Sequence, residues 1–179
     1  MSVRRIYVEK KPEYAVRAGE LFEDIKTYLG ISGIARVRVL VRYDIENIED
    51  GTYEKARGTI FSEPPLDLLY EETFPREDGD SVFSSEFLPG QFDQRADSAE
   101  QCVRLIDKDA EVLIRTATTY VLSGKLGERE LAAIKNFCIN PVDSRECAEE
   151  KPATLSQNFP APEDVKTVEG FIDMPENEF

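Results

Sequence analysis

Two stretches of this chain run through the same order of hydrophobic patterns, and that repetition constrains its fold more than any other feature. In the first stretch Val3 to Glu9 reads as a strand, ended by Lys10-Lys11-Pro12. From Tyr14 to Leu29 the residues Ala18, Leu21, Phe22, Ile25, Tyr28 and Leu29 recur at helical spacing, and Gly30 and Gly33 mark the stop. Val37, Val39, Val41, Tyr43 and Ile45 then alternate with Arg36, Arg38, Leu40, Arg42 and Asp44. A strand of that pattern is expected to bury one face and leave the other largely wet. Asp50-Gly51 turns the chain into a short helix, Thr52 to Ile60. Pro64-Pro65 breaks it, and Leu66 to Tyr70 is a further strand.

The second stretch follows a polar loop around Arg76 to Asp80. Val82 to Leu88 is a strand ended by Pro89-Gly90, and the following helix, Ala96 to Ile106, puts Ala99, Cys102, Val103 and Ile106 on one face. Val112 to Leu122 is a strand, and Gly124 and Gly127 flank a turn. A last helix, Glu128 to Ile139, points Leu131, Ile134, Phe137 and Cys138 inward before Asn140-Pro141 stops it. In the first helices Ala18, Leu21, Phe22 and Ile25 match Ala99, Cys102, Val103 and Ile106 at a spacing of 81. Tyr43 matches Tyr120 at 77, and Pro65-Leu66-Asp67 matches Pro141-Val142-Asp143 at 76. Turns absorb differences of a few residues at little entropic cost. The expected architecture is an α+β body of two duplicated units, 1–78 and 79–148. Each unit is too small to cover both faces of its own sheet. Residues 149–179, acidic and carrying Pro152, Pro160, Pro162 and Pro175, read as a linker toward another domain.

Composition narrows the chemistry. With 22 Lys+Arg against 36 Asp+Glu the net charge is −14, which argues against a nucleic-acid partner, because phosphate affinity needs clustered cations. Residues 1–60 are close to neutral and the remainder holds the deficit. Arg36, Arg38 and Arg42 are read as a solvated strand face rather than an anion site. The absence of histidine excludes a Ser-His-Asp or Cys-His pair and any histidine-ligated metal. Cys102, Cys138 and Cys147 lack a C-x-x-C spacing. Cys102 and Cys138 are expected on apolar helix faces as small hydrophobes. Neither a phosphate-binding loop nor a G-x-G-x-x-G is present; Ser123-Gly124-Lys125-Leu126 lacks the upstream glycine and the hydroxyl after the lysine. Glu71-Glu72, Asp78-Gly79-Asp80 and Glu149-Glu150 sit in polar loops as solvated charge. With no secretory signal and no apolar run of roughly 20 residues, the expectation is a soluble cytoplasmic protein without a membrane partner.

One segment exceeds what a connection requires. Between the strand at Phe87 and the helix at Ala96 the chain places Gln91, Phe92, Asp93, Gln94 and Arg95 together, an exposed aromatic among amides and charges. Asp97 or a neighbouring polar residue serves as a helix cap, but capping alone does not call for the rest. These five residues are the candidate contact site, facing a ligand or another domain.

LPGQFDQRADSAEQCVRL, residues 88–105, resembles the N-terminal region of long-form phosphoribosylformylglycinamidine synthase, the glutamine-dependent ligase of purine biosynthesis. The opening VRRIYVEKKPEYAVRAGELFEDIKTYLGI and the pieces VRVLVRYDIENI, FSEPPLDLLYEE and INPVDSRE are similar to the same region. The resemblance implies a tandem pair of ferredoxin-like, PurS-like units related by a pseudo-twofold. It corresponds to a fused dimer of the small subunit of the three-chain enzyme. It further implies that ATP, Mg²⁺ and the glutaminase Cys-His-Glu triad belong to downstream synthetase and glutaminase domains of the same chain. No catalytic, metal or cofactor residue is then expected in this piece. On that view Gln91–Arg95 forms an interdomain contact, and the domain supports coupling and ammonia channelling. Two alternatives have different signatures. A free-standing small-molecule-binding regulator would be complete at about this length, and an independent carboxylate enzyme would need two facing acids in a pocket.

Overall fold

The computed structural model describes residues 2–156. Ten main elements follow one another: β1 Arg4–Lys10, α1 Val16–Thr27, β2 Ile34–Glu46, α2 Asp50–Ala56, β3 Asp67–Glu71, β4 Ser81–Phe87, α3 Gln94–Ile106, β5 Leu113–Gly124, α4 Glu128–Cys138 and β6 Ser144–Cys147. A 3-10 turn at Pro12–Tyr14 delays the start of α1, and a π-helical turn at Arg57–Phe61 extends α2. The strands form one antiparallel sheet of six in the order β3-β1-β2-β5-β4-β6. The expected α+β class is correct at this level. The first and second stretches each supply three adjacent strands, and they meet edge to edge at β2 and β5.

The strand registers repeat at the spacing Tyr43 and Tyr120 indicate. Ile6 lies opposite Tyr43 in the β1–β2 pair, and Phe83 lies opposite Tyr120 in the β4–β5 pair, each 77 residues on. Across the central pair Val39 faces Tyr120 and Tyr43 faces Thr116, so the pattern reads the same from either strand about Val41 and Thr118. The helices follow a different spacing from the one expected. The buried stripe of α1 is Ala18, Leu21 and Ile25, and that of α3 is Ala96, Ala99 and Val103. Ala18 therefore corresponds to Ala96 at 78, not to Ala99 at 81. Cys102 is exposed and Ile106 partly so, contrary to the inward placement expected of them. The 81-residue match fails because a shift of three residues keeps an amphipathic pattern almost in phase with itself. Tyr28 and Phe137 are also exposed. Their rings lie 5.7 Å apart, against each other instead of in the core.

All four helices pack on the sheet face that carries Tyr43 and Tyr120. One core there joins Ile6, Tyr43 and Ile45 to Tyr53, Phe61, Ala99 and Val103; the other joins Val37, Phe83 and Tyr120 to Leu21, Ile25 and Ile134. Helix α1 of the first stretch thus packs with strands of both stretches, and so does α3. Glycine is required where β2 begins and β5 ends. The Gly33 carbonyl accepts from Lys125 N–H at 3.0 Å, and a Cβ on Gly124, at φ +140°, would fall 2.3 Å from that same oxygen.

The opposite face corrects the expectation of a wet surface. Arg36 is exposed, but Arg38, Arg42, Asp44, Arg5 and Glu9 are all buried. Antiparallel register sets Arg5 directly opposite Asp44. Its Nε and Nη2 bond the two carboxylate oxygens at 2.5 and 2.9 Å, while Arg42 Nε lies 3.2 Å from the same carboxylate. Arg38 grips Glu9 through Nε and Nη2 at 2.7 and 2.6 Å. Leu40, Tyr7, Phe74 and Val121 fill the space between these groups. Small partners in β5 and β4 make room: Ala117 is opposite Arg42, and Ser84 and Thr119 share a 2.8 Å hydrogen bond. The cover comes from two irregular segments. Pro75 O accepts from Arg38 at 2.7 Å, Ala148 O from Arg42 at 3.1 Å, and Glu149 O from Arg5. Residues 149–156, expected as part of a linker, therefore lie against the sheet. Leu155 is buried, with its N–H and the Thr154 hydroxyl bonded to Glu46 at 2.7 and 3.1 Å. The remainder of that expected linker, 157–179, falls outside the described residues.

Asp44 serves two buried guanidiniums, so its neutralisation strands both. Asp44→Asn is expected to cost about 3–5 kcal/mol, the usual result of breaking a buried pair from one side; urea denaturation checks it. The Leu155 amide and the Thr154 hydroxyl hold the Glu46 carboxyl below its ordinary value. Burial pushes Glu72 up, but Lys151 and the Arg5 N–H outweigh it and leave its pKa lowered. Depressed carboxylates stabilise the fold above their unfolded pKa, about 4.3. That contribution is lost as pH falls through the lower folded values. The melting temperature is expected to drop below about pH 4.3, and Glu46→Gln to lessen the drop while speeding hydrogen exchange at the Leu155 amide.

Candidate functional site

The first turns of α1 and α3 lie over the centre of the sheet, where β2 meets β5. Two open cavities adjoin there, of about 800 and 720 Å³, and Arg17, Arg95 and Tyr43 line both. Arg17 and Arg95 are 78 residues apart, the spacing of the helix stripes, so each occupies the same position in its helix. The larger cavity has Tyr120, Thr118 and Ala117 of β5 as its floor, with Ala99, Cys102 and Phe92 beside it. Tyr120 stacks on Phe83 at 4.8 Å between ring centres, and its hydroxyl accepts from Arg17 Nη2 at 3.3 Å. Burial raises the pKa of Tyr120, and it raises the Cys138 thiol to about 11. The floor is therefore a poorly solvated place for a negative side chain of the protein's own.

The structure divides the five candidate residues. Asp93 is the cap of α3: Oδ1 accepts from Ala96 N–H at 2.9 Å. It also clamps the loop to the sheet, accepting from Thr116 N–H at 2.9 Å and from the Thr116 hydroxyl. Asp97, the other capping candidate, instead accepts from the Gln101 amide at 2.7 Å. Gln91 and Phe92 are exposed, with Phe92 at 69% of its free surface, and Gly90 takes φ +90° to present them. Gln94 and Arg95 belong to α3 itself; both line the larger cavity. The Arg17–Tyr120 half of this cavity escapes sequence inspection, because Arg17 lies 78 residues from the loop. The only available signal is its equivalence to Arg95, which the 81-residue match conceals.

Cys102 lines the cavity as an exposed thiol, while Cys138 and Cys147 are half-buried. Among the described residues no three His, Cys, Asp or Glu side chains converge as a metal site, and no helix is long and apolar enough to cross a membrane.

Asp93 and Phe92 are adjacent yet are expected to differ. Asp93→Ala loses a cap and the bonds to Thr116, a cost of about 2 kcal/mol in thermal or urea unfolding. Phe92→Ala removes an exposed ring and is expected to stay within about 0.5 kcal/mol. No protein-family model matches this chain, and no curated protein sequence matches it.

Proposed function

We propose that the chain is the N-terminal assembly domain of a phosphoribosylformylglycinamidine synthase, built as a duplicated, PurS-like pair of ferredoxin-like units. The single observation that carries the proposal is the mirrored strand order β3-β1-β2-β5-β4-β6, with registers repeating at 77 about the Val41–Thr118 pair. A fused dimer of a β-α-β-α-β subunit requires such an order, since each copy offers the same edge strand to the other. The wording of residues 88–105 and of the four other similar segments supports the same family. In the whole enzyme, formylglycinamide ribonucleotide, glutamine and ATP become formylglycinamidine ribonucleotide, glutamate, ADP and phosphate. This domain supplies rigid surface between synthetase and glutaminase, and the Gln91–Phe92 loop, held out by Gly90 and anchored by Asp93, is its contact.

The first test is the downstream coding sequence, which is expected to encode a glycine-rich ATP-binding region and a C-terminal Cys-His-Glu glutaminase. A reading frame that stops at Phe179 overturns the proposal. In the full-length enzyme, Phe92→Ala is expected to lower glutamine-dependent activity several-fold more than ammonia-dependent activity. Equal losses in both assays would remove the loop from coupling.

A further inference from the structure

We propose that the larger cavity binds a small metabolite through an oxyanion head group, a phosphate or a carboxylate, held between Arg17 and Arg95 above Tyr120. The inference stands apart from the family assignment, because it concerns only side chains of this chain.

Charge singles out the site. Most arginines of the described residues lie within 4 Å of a carboxylate; outside the cavity only Arg115 and Arg129 share with Arg17 and Arg95 the lack of one. Such a lack is unexpected in a chain of net charge −14, where acids outnumber bases. The lining acid does not neutralise the pair. Glu86 is engaged by Arg145, whose Nε and Nη2 both bond its Oε1, at 2.9 and 2.7 Å. Asp93, close to Arg95 in sequence, is turned inward, with both oxygens taken by Ala96 and Thr116. Two guanidiniums are thus left facing one depression without an acid between them, and an external anion relieves their repulsion.

Geometry supplies the remaining recognition. A guanidinium presents parallel N–H donors that match two oxygens of a carboxylate or phosphate. The Tyr120 hydroxyl accepts from Arg17, and its own proton has no protein acceptor among the described residues, so it is a third donor at the floor. Ala99 and Phe92 offer apolar walls to the body of the ligand. A volume of about 800 Å³ suits a metabolite. The neighbouring cavity is a poorer anion site: Glu9 and Asp67 there are engaged by Arg38 and Lys10, but Glu63 lines it without a cationic partner among the described residues.

The test is a two-dimensional ¹H–¹⁵N titration of the 179-residue chain with inorganic phosphate, and separately with succinate, at constant ionic strength set by chloride. Saturable shifts are expected at Arg17, Arg95 and the β5 residues around Tyr120. Arg17→Gln and Arg95→Gln are each expected to weaken binding about tenfold, the loss of a charge-assisted hydrogen bond, and Tyr120→Phe to weaken it less. Arg129→Gln, an unpaired arginine outside both cavities, is expected to leave binding unchanged. Saturation by phosphate alone identifies a phosphorylated ligand, and saturation by succinate alone a carboxylate. Absence of saturable shifts with either probe up to about 20 mM, roughly the weakest affinity such a site would retain, overturns the proposal. So does equal weakening by Arg129→Gln, which would reduce the effect to general screening. The variants' amide spectra and melting temperatures separate lost binding from lost folding, as both arginines are exposed.

Discussion

The pairing of β2 with β5 is the contact on which the other parts depend. These are the two longest strands, and their register runs from Ile34 opposite Gly124 to Glu46 opposite Leu113. Without it, each set of three strands would expose an unpaired edge and half of a helix-covered core. The two cores show why neither set suffices: α1 covers Phe83 and Tyr120, while α3 covers Ile6 and Tyr43. Burial of apolar area at ~25 cal/mol per Å² therefore accrues across the junction as well as within each stretch.

That central position also explains the character of the second face. β2 lies in the middle of the sheet, with helices over one side and the segments around Pro75 and Ala148 over the other, so most of its residues are removed from water, whatever their type. Arg38, Arg42 and Asp44 are tolerated there because each finds a charged partner from β1 or its own strand, and because carbonyls at 75, 148 and 149 accept the remaining donors. Burial alone would lower the pKa of Arg5, but Asp44 outweighs it and keeps the guanidinium charged. A buried ion pair adds little net stability compared with apolar packing, though breaking it from one side is costly. Its effect here is to fix register: sliding β1 by one residue would send Arg5 and Glu9 into the helix-side core and Ile6 and Val8 out of it.

Much of this fold was legible in the sequence, and the errors have physical causes. Elements and their order follow from apolar period and from Gly and Pro punctuation, and Val3 to Glu9, Val37 to Ile45 and Val112 to Leu122 are strands as expected, within a few residues. The side of β2 bearing Arg38 and Arg42 misleads because alternation reports polarity, and polarity is normally solvated; only the distant segments around Pro75 and Ala148 bury it. The helix match at 81 misleads because Cys102 is apolar enough to extend a stripe that Ala96 in fact begins. Of the loop residues, the exposure of Phe92 is legible from its setting. The clamping role of Asp93 is not, since its partner Thr116 belongs to a strand whose register no local pattern gives.

The candidate anion site is a consequence of the mirrored arrangement. Any residue in the first turn of α1 has its counterpart in the first turn of α3, and the β2–β5 junction brings both turns over the same strip of sheet. One arginine at such a position makes an isolated surface charge; two make a concentrated positive field. What distinguishes the two adjoining cavities is the departure from symmetry. Ala15 precedes α1 with no side-chain cap, whereas Asp93 caps α3 and holds the loop of Phe92 against the larger cavity. Glu9, in the smaller cavity, is drawn to Arg38, and its counterpart Glu86 is drawn to Arg145 in β6. With both of these acids engaged, Glu63, which lines only the smaller cavity and has no cationic partner among the described residues, leaves the charge of Arg17 and Arg95 unopposed on the side of the larger cavity only. A symmetric frame with one asymmetric pocket is therefore where a single ligand, rather than a pair, would bind.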